Sequence, residues 1–195
     1  MKLPLEYYQH SNVLYLTRDL LGKFLMTRID SVETGGMIIE TEAYQGPEDR
    51  ASHAFGSRRT KRNEVMYWAG GIAYVYLCYG IHALFNVVTS EEDIPHAILI
   101  RAIQPMIGVE EMERRRGKNF PLKRIANGPG TLTQALGITL KHNGISLDGS
   151  TIWIEDRGIT PKEILTGPRI GVEYAKEHAL LPWRFRMSPI SSRNK

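Results

Sequence analysis

The sequence has 195 residues but only one cysteine, Cys78. A single cysteine excludes an intramolecular disulfide and gives no reason to place the protein outside the cell. The six histidines show no His-x-x-x-His spacing, so the sequence predicts no metal site. Neither a Gly-x-Gly-x-x-Gly motif nor a Gly-Lys-Ser/Thr phosphate loop occurs. This disfavours nucleotide cofactors, and we expect the protein to need no cofactor.

Long apolar runs are also lacking. No stretch approaches the roughly 18 residues that a membrane-spanning helix requires. The segment 6–10 is too polar for the apolar core of a signal peptide. We therefore expect a soluble protein that resides in the cytoplasm.

Charge of one sign is only mildly in excess. The chain has 25 Lys and Arg against 21 Asp and Glu, a formal net charge of +4, and a pI near 9.2. This bias is compatible with a polyanionic partner but does not prove one. The length suits one domain with a real core, and we expect a single domain over 1–195.

Hydrophobic periodicity predicts strands and helices that do not alternate regularly. Strands 72–79 and 81–88 are separated by a tight turn, which is typical of a hairpin. We expect an α+β fold, with a curved antiparallel β-sheet, a protruding β-hairpin and flanking helices. The other predicted elements are helices at 12–25, 105–116, 131–136 and 168–178, strands at 37–44, 96–103 and 151–155, an extended segment at 183–186 and a polar loop at 46–65.

Glu42 is the first candidate for chemistry. In an extended strand Glu42 and Tyr44 point to the same face. A carboxylate in a partly dry pocket can act as a general base towards water. Arg101, at the end of an apolar strand, is the best candidate for a partner that orients this carboxylate and keeps it ionised. The alternatives are a surface carboxylate and a structural salt bridge.

Aromatic side chains make up the second set of candidates. Rings at Tyr44, His53 and Tyr76 could form a slot for a planar ligand, although a strand tyrosine is most often part of the core. Tyr79 at the hairpin tip has the placement of a wedge that enters a base stack, or it could fold back on its own hairpin. The basic loop residues Arg58, Arg59 and Arg62 could hold phosphates, or they could form an ordinary solvated face.

Several of these residues fall in motifs that closely resemble the mammalian-type alkyladenine (3-methyladenine) DNA glycosylase family. The resemblance runs in order from about residue 10 to 190, and it suggests a minimal bacterial member. The motifs are Glu40-Thr41-Glu42-Ala43-Tyr44-x-Gly46-Pro47-Glu48-Asp49, Ala51-Ser52-His53, Arg62-Asn63, Tyr74-Val75-Tyr76-x-x-Tyr79-Gly80, Asn86, Leu99-Ile100-Arg101-Ala102-Ile103-x-Pro105, Gly128-Pro129-x-x-Leu132-x-Gln134-Ala135-Leu136 and Arg169-Ile170-Gly171-Val172.

The resemblance implies base excision from double-stranded DNA by a monofunctional enzyme, which flips an alkylated or deaminated purine out of the duplex and hydrolyses its N-glycosidic bond. It also implies a monomer that would associate with the nucleoid in a bacterium. In the implied roles, Glu42 is the general base, and Arg101 and the main chain near Ile170 help to hold the water. Tyr44 stacks on one face of the base, and His53 and Tyr76 stack on the other. Asn86 disfavours guanine, and Tyr79 fills the vacated space in the duplex.

The sequence departs from the family at two places near the DNA. His82 follows the hairpin tip where mammalian members are bulkier. Thr131, a candidate phosphate contact, stands where some relatives have lysine.

Two other functions stay open on the sequence. One is a non-catalytic protein that binds the minor groove through a tyrosine wedge, and the other is a hydrolase of free nucleosides.

Overall fold

A computed structural model describes residues 1–117 and 120–188. The strands within these ranges are β1 (Phe24–Ile29), β2 (Val32–Gln45), β3 (Ala73–Cys78), β4 (His82–Thr89), β5 (His96–Ile107), β6 (Ile152–Glu155), β7 (Ile164–Gly167) and β8 (Arg184–Met187). The α-helices there are α1 (Leu5–Tyr8), α2 (Val13–Asp19), α3 (Val109–Arg116), α4 (Leu122–Ile125) and α5 (Pro129–Leu136). Segments of 3₁₀ helix lie at Phe55–Ser57, Glu64–Tyr67, Leu140–His142 and Glu173–Leu180.

The strands form one open antiparallel sheet in the order β3-β4-β5-β2-β1-β6, and β8 pairs with both β2 and β7. The long β2 is the centre of this arrangement, because it pairs with β1, β5 and β8. The predicted α+β class, the antiparallel sheet and the hairpin are therefore confirmed. The single domain over 1–195 stays a prediction, because residues 118–119 and 189–195 lie outside the described residues.

The two faces of β2 have different tasks, as its alternation predicts. Thr41 is buried towards α2 and donates a hydrogen bond to the backbone oxygen of Thr17 at 2.8 Å. Ala43 belongs to the main hydrophobic core. Glu40, Glu42 and Tyr44 share the opposite face, where Arg101 reaches both glutamates and the Tyr44 hydroxyl reaches Glu42. One strand thus contributes both to the core and to a polar cluster.

Helix boundaries were predicted less well than strands. The helix predicted at 12–25 is α2, which ends at Asp19 because the chain turns at Gly22 (φ 87°) and Phe24 already begins β1. A side chain at Gly22 would meet the backbone oxygen of Ile159. Strand β1 was missing from the prediction, because its first two residues, Phe24 and Leu25, were assigned to that helix.

The helix predicted from Pro105 begins later, at Val109. Pro105 is still part of β5, opposite Gly36, and the chain changes direction at Gly108 (φ 63°). The helix predicted at 168–178 is also wrong, because residues 168–172 are irregular and only a 3₁₀ segment, interrupted at Lys176, follows at Glu173–Leu180. The short strand β7 was not predicted either.

The polar loop at 46–65 is folded against the sheet. Its residues Ala54 and Val65 belong to a second hydrophobic cluster that also contains Tyr74 of β3. The Asn63 amide donates to the backbone oxygens of His53 and Arg58, at 3.0 and 2.7 Å. These contacts hold the backbone of His53 in one place, which a solvated loop would not do.

Lys176 provides a test of backbone strain in this fold. Its φ of 54° and ψ of −127° cost a residue with a Cβ about 1–3 kcal/mol, whereas glycine adopts them without strain but loses about 0.5–1 kcal/mol in backbone entropy on folding. We expect Lys176→Gly to raise the free energy of unfolding by about 1 kcal/mol in urea denaturation. Glu173→Gly, at a position without positive φ, should lower it. A Lys176→Gly protein less stable than the wild type would contradict the strain.

Candidate functional site

A cleft of about 640 Å³ opens on the polar face of the sheet. Its walls come from β2, β3, β4, β5, the loop at 46–65, the hairpin tip, the start of α5 and residues 170–174. Most of the residues singled out in the sequence line it: Tyr44, His53, Arg62, Tyr76, Tyr79, Asn86, Arg101, Thr131 and Ile170. Residues more than 120 positions apart in sequence thus meet in one concave site.

The Glu42 carboxylate is fully buried. It does not line the cleft itself, but it contacts three residues that do, Tyr44, Arg101 and Ile170. Its Oε1 accepts a hydrogen bond from the backbone NH of Ile170 at 2.9 Å. Its Oε2 accepts one from the Tyr44 hydroxyl at 2.9 Å and one from Arg101 Nη1 at 3.2 Å. Three donors from three different segments therefore fix the position of this carboxylate.

A break in strand pairing aims Arg101 at these acids. Glu40 pairs with Ala102 and Thr41 with Ile100, so Arg101 has no partner across the ladder. Such a bulge bends the strand and redirects the side chain of the extra residue. Arg101 Nε donates to Glu40 Oε1 at 3.0 Å, while its Nη1 reaches Glu42. The guanidinium therefore bridges both glutamates of the polar face.

The protonation of Glu42 is set by opposing influences. Burial raises the pKa of Glu42 above its ordinary value, and the charge of Arg101, the Ile170 amide and the Tyr44 hydroxyl oppose the rise. The sequence suggested an arginine that keeps this acid ionised, and Arg101 does act in that direction. Burial outweighs it, so the acid has a raised affinity for a proton, as is common for catalytic carboxyl groups.

The aromatic walls are held by contacts of their own. His53 and Tyr76 pack edge to face with ring centroids 4.6 Å apart, and the His53 Nδ1 lies 2.8 Å from the Tyr74 hydroxyl. Burial, together with the charges of Arg62 and Arg58, lowers the pKa of His53 to about 4. The imidazole is therefore neutral at pH 7 and adds no positive charge to that of Arg62, which lines the same cleft.

The hairpin tip extends into solvent at the mouth of the cleft. Tyr79 is 86% exposed and its neighbour Ile81 is 73% exposed. Tyr79 adopts a positive φ of 50°, and the tip is closed by a hydrogen bond from the Ile81 NH to the Cys78 oxygen. His82 packs directly against Gly130 at the start of α5. The ring of Tyr79 thus stands free on an anchored hairpin and does not fold back.

Asn86 and Thr131 complete the cleft on the side of β4 and α5. Asn86 is buried, and its amide nitrogen donates to the backbone oxygen of Tyr74 at 3.1 Å. The Thr131 hydroxyl donates to the Gly128 oxygen at 2.9 Å. Both side chains are therefore fixed by the backbone next to the space that a ligand would occupy.

The three loop arginines that the sequence singled out have different surroundings. Arg58 and Arg62 line an adjoining cleft of about 470 Å³, which shares His53 with the first. Arg59 instead forms ion pairs with Glu64 and Asp93, both at 2.6 Å. Its charge is largely balanced by these carboxylates, so it is less available to a phosphate than the charges of Arg58 and Arg62.

Sequence reasoning gave no role to several residues of this site. Glu40 shares Arg101 with Glu42, and Arg169 forms a buried ion pair with Asp49 behind the Tyr44 ring. Asp49 and Arg169 both occur in the motifs of the resemblance, but they are 120 positions apart, and no spacing in the sequence indicates that they meet.

Two features are absent from residues 1–117 and 120–188. No group of three or more His, Cys, Asp or Glu side chains is arranged there to hold a metal ion. No helix in the same ranges has the length and apolar character needed to cross a membrane.

Comparison with known proteins identifies the family. The model of the methylpurine-DNA glycosylase family matches residues 6–189. The chain is 50% identical over 187 residues to a protein of Chlamydia felis, covering 95% of this chain and 96% of the relative. It is 43% identical over 198 residues to a protein of Bacillus cereus, covering 95% of each. Both relatives bear the name "Putative 3-methyladenine DNA glycosylase". The chain belongs to the methylpurine-DNA glycosylase family.

Proposed function

We propose that this protein is a monofunctional DNA glycosylase of base excision repair. It acts as a monomer in the cytoplasm, extrudes alkylated or deaminated purines from duplex DNA and hydrolyses their N-glycosidic bonds, leaving an abasic site. The observation that carries the proposal is the buried Glu42 carboxylate, held by three donors that themselves line an aromatic cleft. Family membership and the names of the relatives support the same activity.

The cleft suits a purine that has left its helix. A base inside the duplex is out of reach, so it must be extruded at a cost of a few kcal/mol, which is lower for a damaged base. The Tyr44 ring would stack on one face of the purine, and His53 and Tyr76 on the other. An alkylated purine that carries a positive charge gains further from ring faces, and the neutral His53 does not oppose it.

Glu42 would act as the general base. An ionised carboxylate has about four lone-pair positions, and the three donors occupy three of them, which leaves one for a water. As the C1′–N bond breaks, its electron pair goes to the purine, the water oxygen bonds to C1′, and the water proton passes to Glu42. Arg101 and the Ile170 main chain keep the carboxylate and the water in place. Among residues 1–117 and 120–188, no lysine lines the cleft, which supports hydrolysis by water without an enzyme–DNA imine.

The remaining residues would select and hold the substrate. Asn86 would crowd the amino group of a normal guanine. Tyr79, exposed on its anchored hairpin, would fill the space that the extruded base leaves. Arg58 and Arg62 are best placed for phosphates, with smaller contributions from Arg59 and Thr131. Phosphate contacts release counterions, so duplex affinity should fall steeply with salt.

Glu42→Gln tests the general base directly. The amide keeps the size of the side chain but cannot accept the water proton, so we expect single-turnover excision of 3-methyladenine from duplex DNA to fall by a factor of about 10²–10⁴. Duplex affinity should survive. Glu40→Gln is the matched control, since it removes the other acid that Arg101 contacts, and it should lose far less activity. Unchanged excision by Glu42→Gln would exclude the general base and favour the non-catalytic minor-groove binder.

Arg101→Met tests how Glu42 is kept ionised. Since the base must be deprotonated, the rate falls as the pH drops through the raised pKa of Glu42. Removal of Arg101 removes the largest influence that lowers this pKa, so the acid limb should move to higher pH and the rates should approach each other in alkaline solution. A cationic substrate such as 3-methyladenine is best, because its departure requires no added proton.

Arg184→Met is the matched control for that pH profile. Arg184 contacts Glu40 at 3.3 Å, as Arg101 does at 3.0 Å, but it makes no hydrogen bond to Glu42. Its acid limb should stay close to that of the wild type. An acid limb that stays in place in Arg101→Met, or one that moves equally in both variants, would argue against the proposed role of Arg101.

Tyr79→Ala tests the wedge. Loss of the ring leaves the vacated stack unfilled, so excision from duplex DNA should fall by about 10-fold, in line with stacking energies of about 1–3 kcal/mol per base. Cleavage of a free nucleoside, if measurable, should not change. Tyr15→Ala, which removes another exposed tyrosine outside the cleft, should act like the wild type. Equal losses on duplex and nucleoside would instead support a nucleoside hydrolase.

A further inference from the structure

A buried ion pair lies behind the cleft, and the mechanism above gives it no part. The side chains of Asp49 and Arg169 are both fully buried. Arg169 binds the carboxylate with both terminal nitrogens, Nη1 to Oδ2 and Nη2 to Oδ1. This fork-to-fork geometry fixes the guanidinium plane. The pair therefore sets the orientation of whatever touches that plane.

The Arg169 guanidinium contacts β2 at two places, the Tyr44 ring and the backbone oxygen of Ala43. It lies between two aromatic rings, 4.8 Å from the Tyr44 centroid and 5.1 Å from the Trp183 centroid. Its Nη1 donates to the backbone oxygen of Ala43 at 2.8 Å. Ala43 joins Glu42 to Tyr44, so Arg169 contacts both the ring of the wall and the backbone that carries the acid.

The backbone of Arg169 continues into the third contact. Its neighbour Ile170 donates the amide hydrogen bond to Glu42 Oε1. Arg169 is therefore linked to Glu42 from two directions, through Ala43 and through Ile170. Asp49 is itself held in a turn, where its Oδ1 accepts from the Ala51 NH and its backbone oxygen accepts from the Ser52 NH. This turn leads directly to His53.

Stability alone does not account for such a pair. Removing two charges from water is costly, and well-packed apolar residues in place of a buried ion pair are often neutral or stabilising. A lysine could supply the charge but neither the fork nor the flat face between two rings. The features that only arginine provides are thus the ones that fix the Tyr44 ring and the backbone on both sides of Glu42.

We propose that Arg169, held by Asp49, is a positioning residue that fixes the Tyr44 ring and the Ile170 amide relative to the Glu42 carboxylate. This inference rests on the proposed function. It predicts that loss of Arg169 has two effects that occur together, whereas simple unfolding would not produce both. Excision slows because acid and base-binding ring are misplaced, and the acid limb moves to higher pH because the Ile170 amide no longer favours the ionised carboxylate.

The test uses two variants of the full chain. Removing Arg169 alone leaves Asp49 buried without its cation, which is strongly destabilising, so the neutral double variant Asp49→Asn/Arg169→Gln is measured beside Arg169→Lys. Single-turnover excision of 3-methyladenine from duplex DNA is followed against pH, together with duplex affinity and thermal unfolding. We expect folded proteins with duplex affinity near that of the wild type, excision slower by roughly 10- to 100-fold, and the acid limb at higher pH, with Arg169→Lys the less affected.

Arg115→Met is the matched control for loss of an inward arginine. Arg115 pairs with Glu111 at 2.8 Å and also donates to the Ala135 oxygen, away from the cleft. It should keep the rate and the acid limb of the wild type.

Three results would overturn the inference. A folded double variant with the wild-type rate and acid limb would remove the positioning role. The proposed function would still stand if the wild type excises the base and Glu42→Gln does not. Failure of both Arg169 variants to fold would make the pair a structural requirement only. A wild-type protein that excises no purine would remove the proposed function and this inference together.

Discussion

The site depends on one buried carboxylate and the three donors that hold it. Glu42 receives its hydrogen bonds from β5 through Arg101, from its own strand through Tyr44, and from the segment before the last 3₁₀ helix through Ile170. A buried acid without such partners would take up a proton or move to solvent. Because the donors come from distant parts of the chain, the acid can occupy this position only when the whole sheet and its C-terminal segment are in place.

The same carboxylate explains why the surrounding fold is irregular. A regular β2–β5 ladder would leave Arg101 opposite a partner, whereas the bulge frees it to reach two acids at once. Glu40 and Glu42 place two carboxylates on one face of β2, and like charges so close together repel each other. The cation of Arg101 offsets this repulsion. Burial keeps the affinity of Glu42 for protons high, which suits a group that must accept one. The local irregularities around Glu42 are thus the features that suit the proposed chemistry.

Local patterns in the sequence predicted much of this arrangement. The period of two placed Glu42 and Tyr44 on one face of β2, and two apolar runs around Tyr79-Gly80 gave the hairpin. An arginine in an apolar strand needs an anionic partner, which led to Arg101 and Glu42. The helices at 105 and 168 failed, because proline can also sit within a strand and a few apolar residues cannot tell a 3₁₀ segment from an α-helix.

Contacts between distant segments could not be read from spacing. The bulge at Arg101 depends on pairing between two strands, and the meeting of Asp49 with Arg169 depends on the path of the C-terminal segment around Tyr44. The contact of Ile170 with Glu42 was available only through the resemblance to a known family.

The most direct measurement is a crystal structure of the protein bound to duplex DNA with a 2′-fluoro hypoxanthine nucleotide, since fluorine at C2′ disfavours the cationic transition state and preserves the bond. The account predicts an extruded purine between Tyr44 and the His53–Tyr76 wall, Tyr79 in the vacated stack, and a water between Glu42 and C1′. A purine that stays in the duplex, or a C1′ beyond the reach of a water on Glu42, would contradict it.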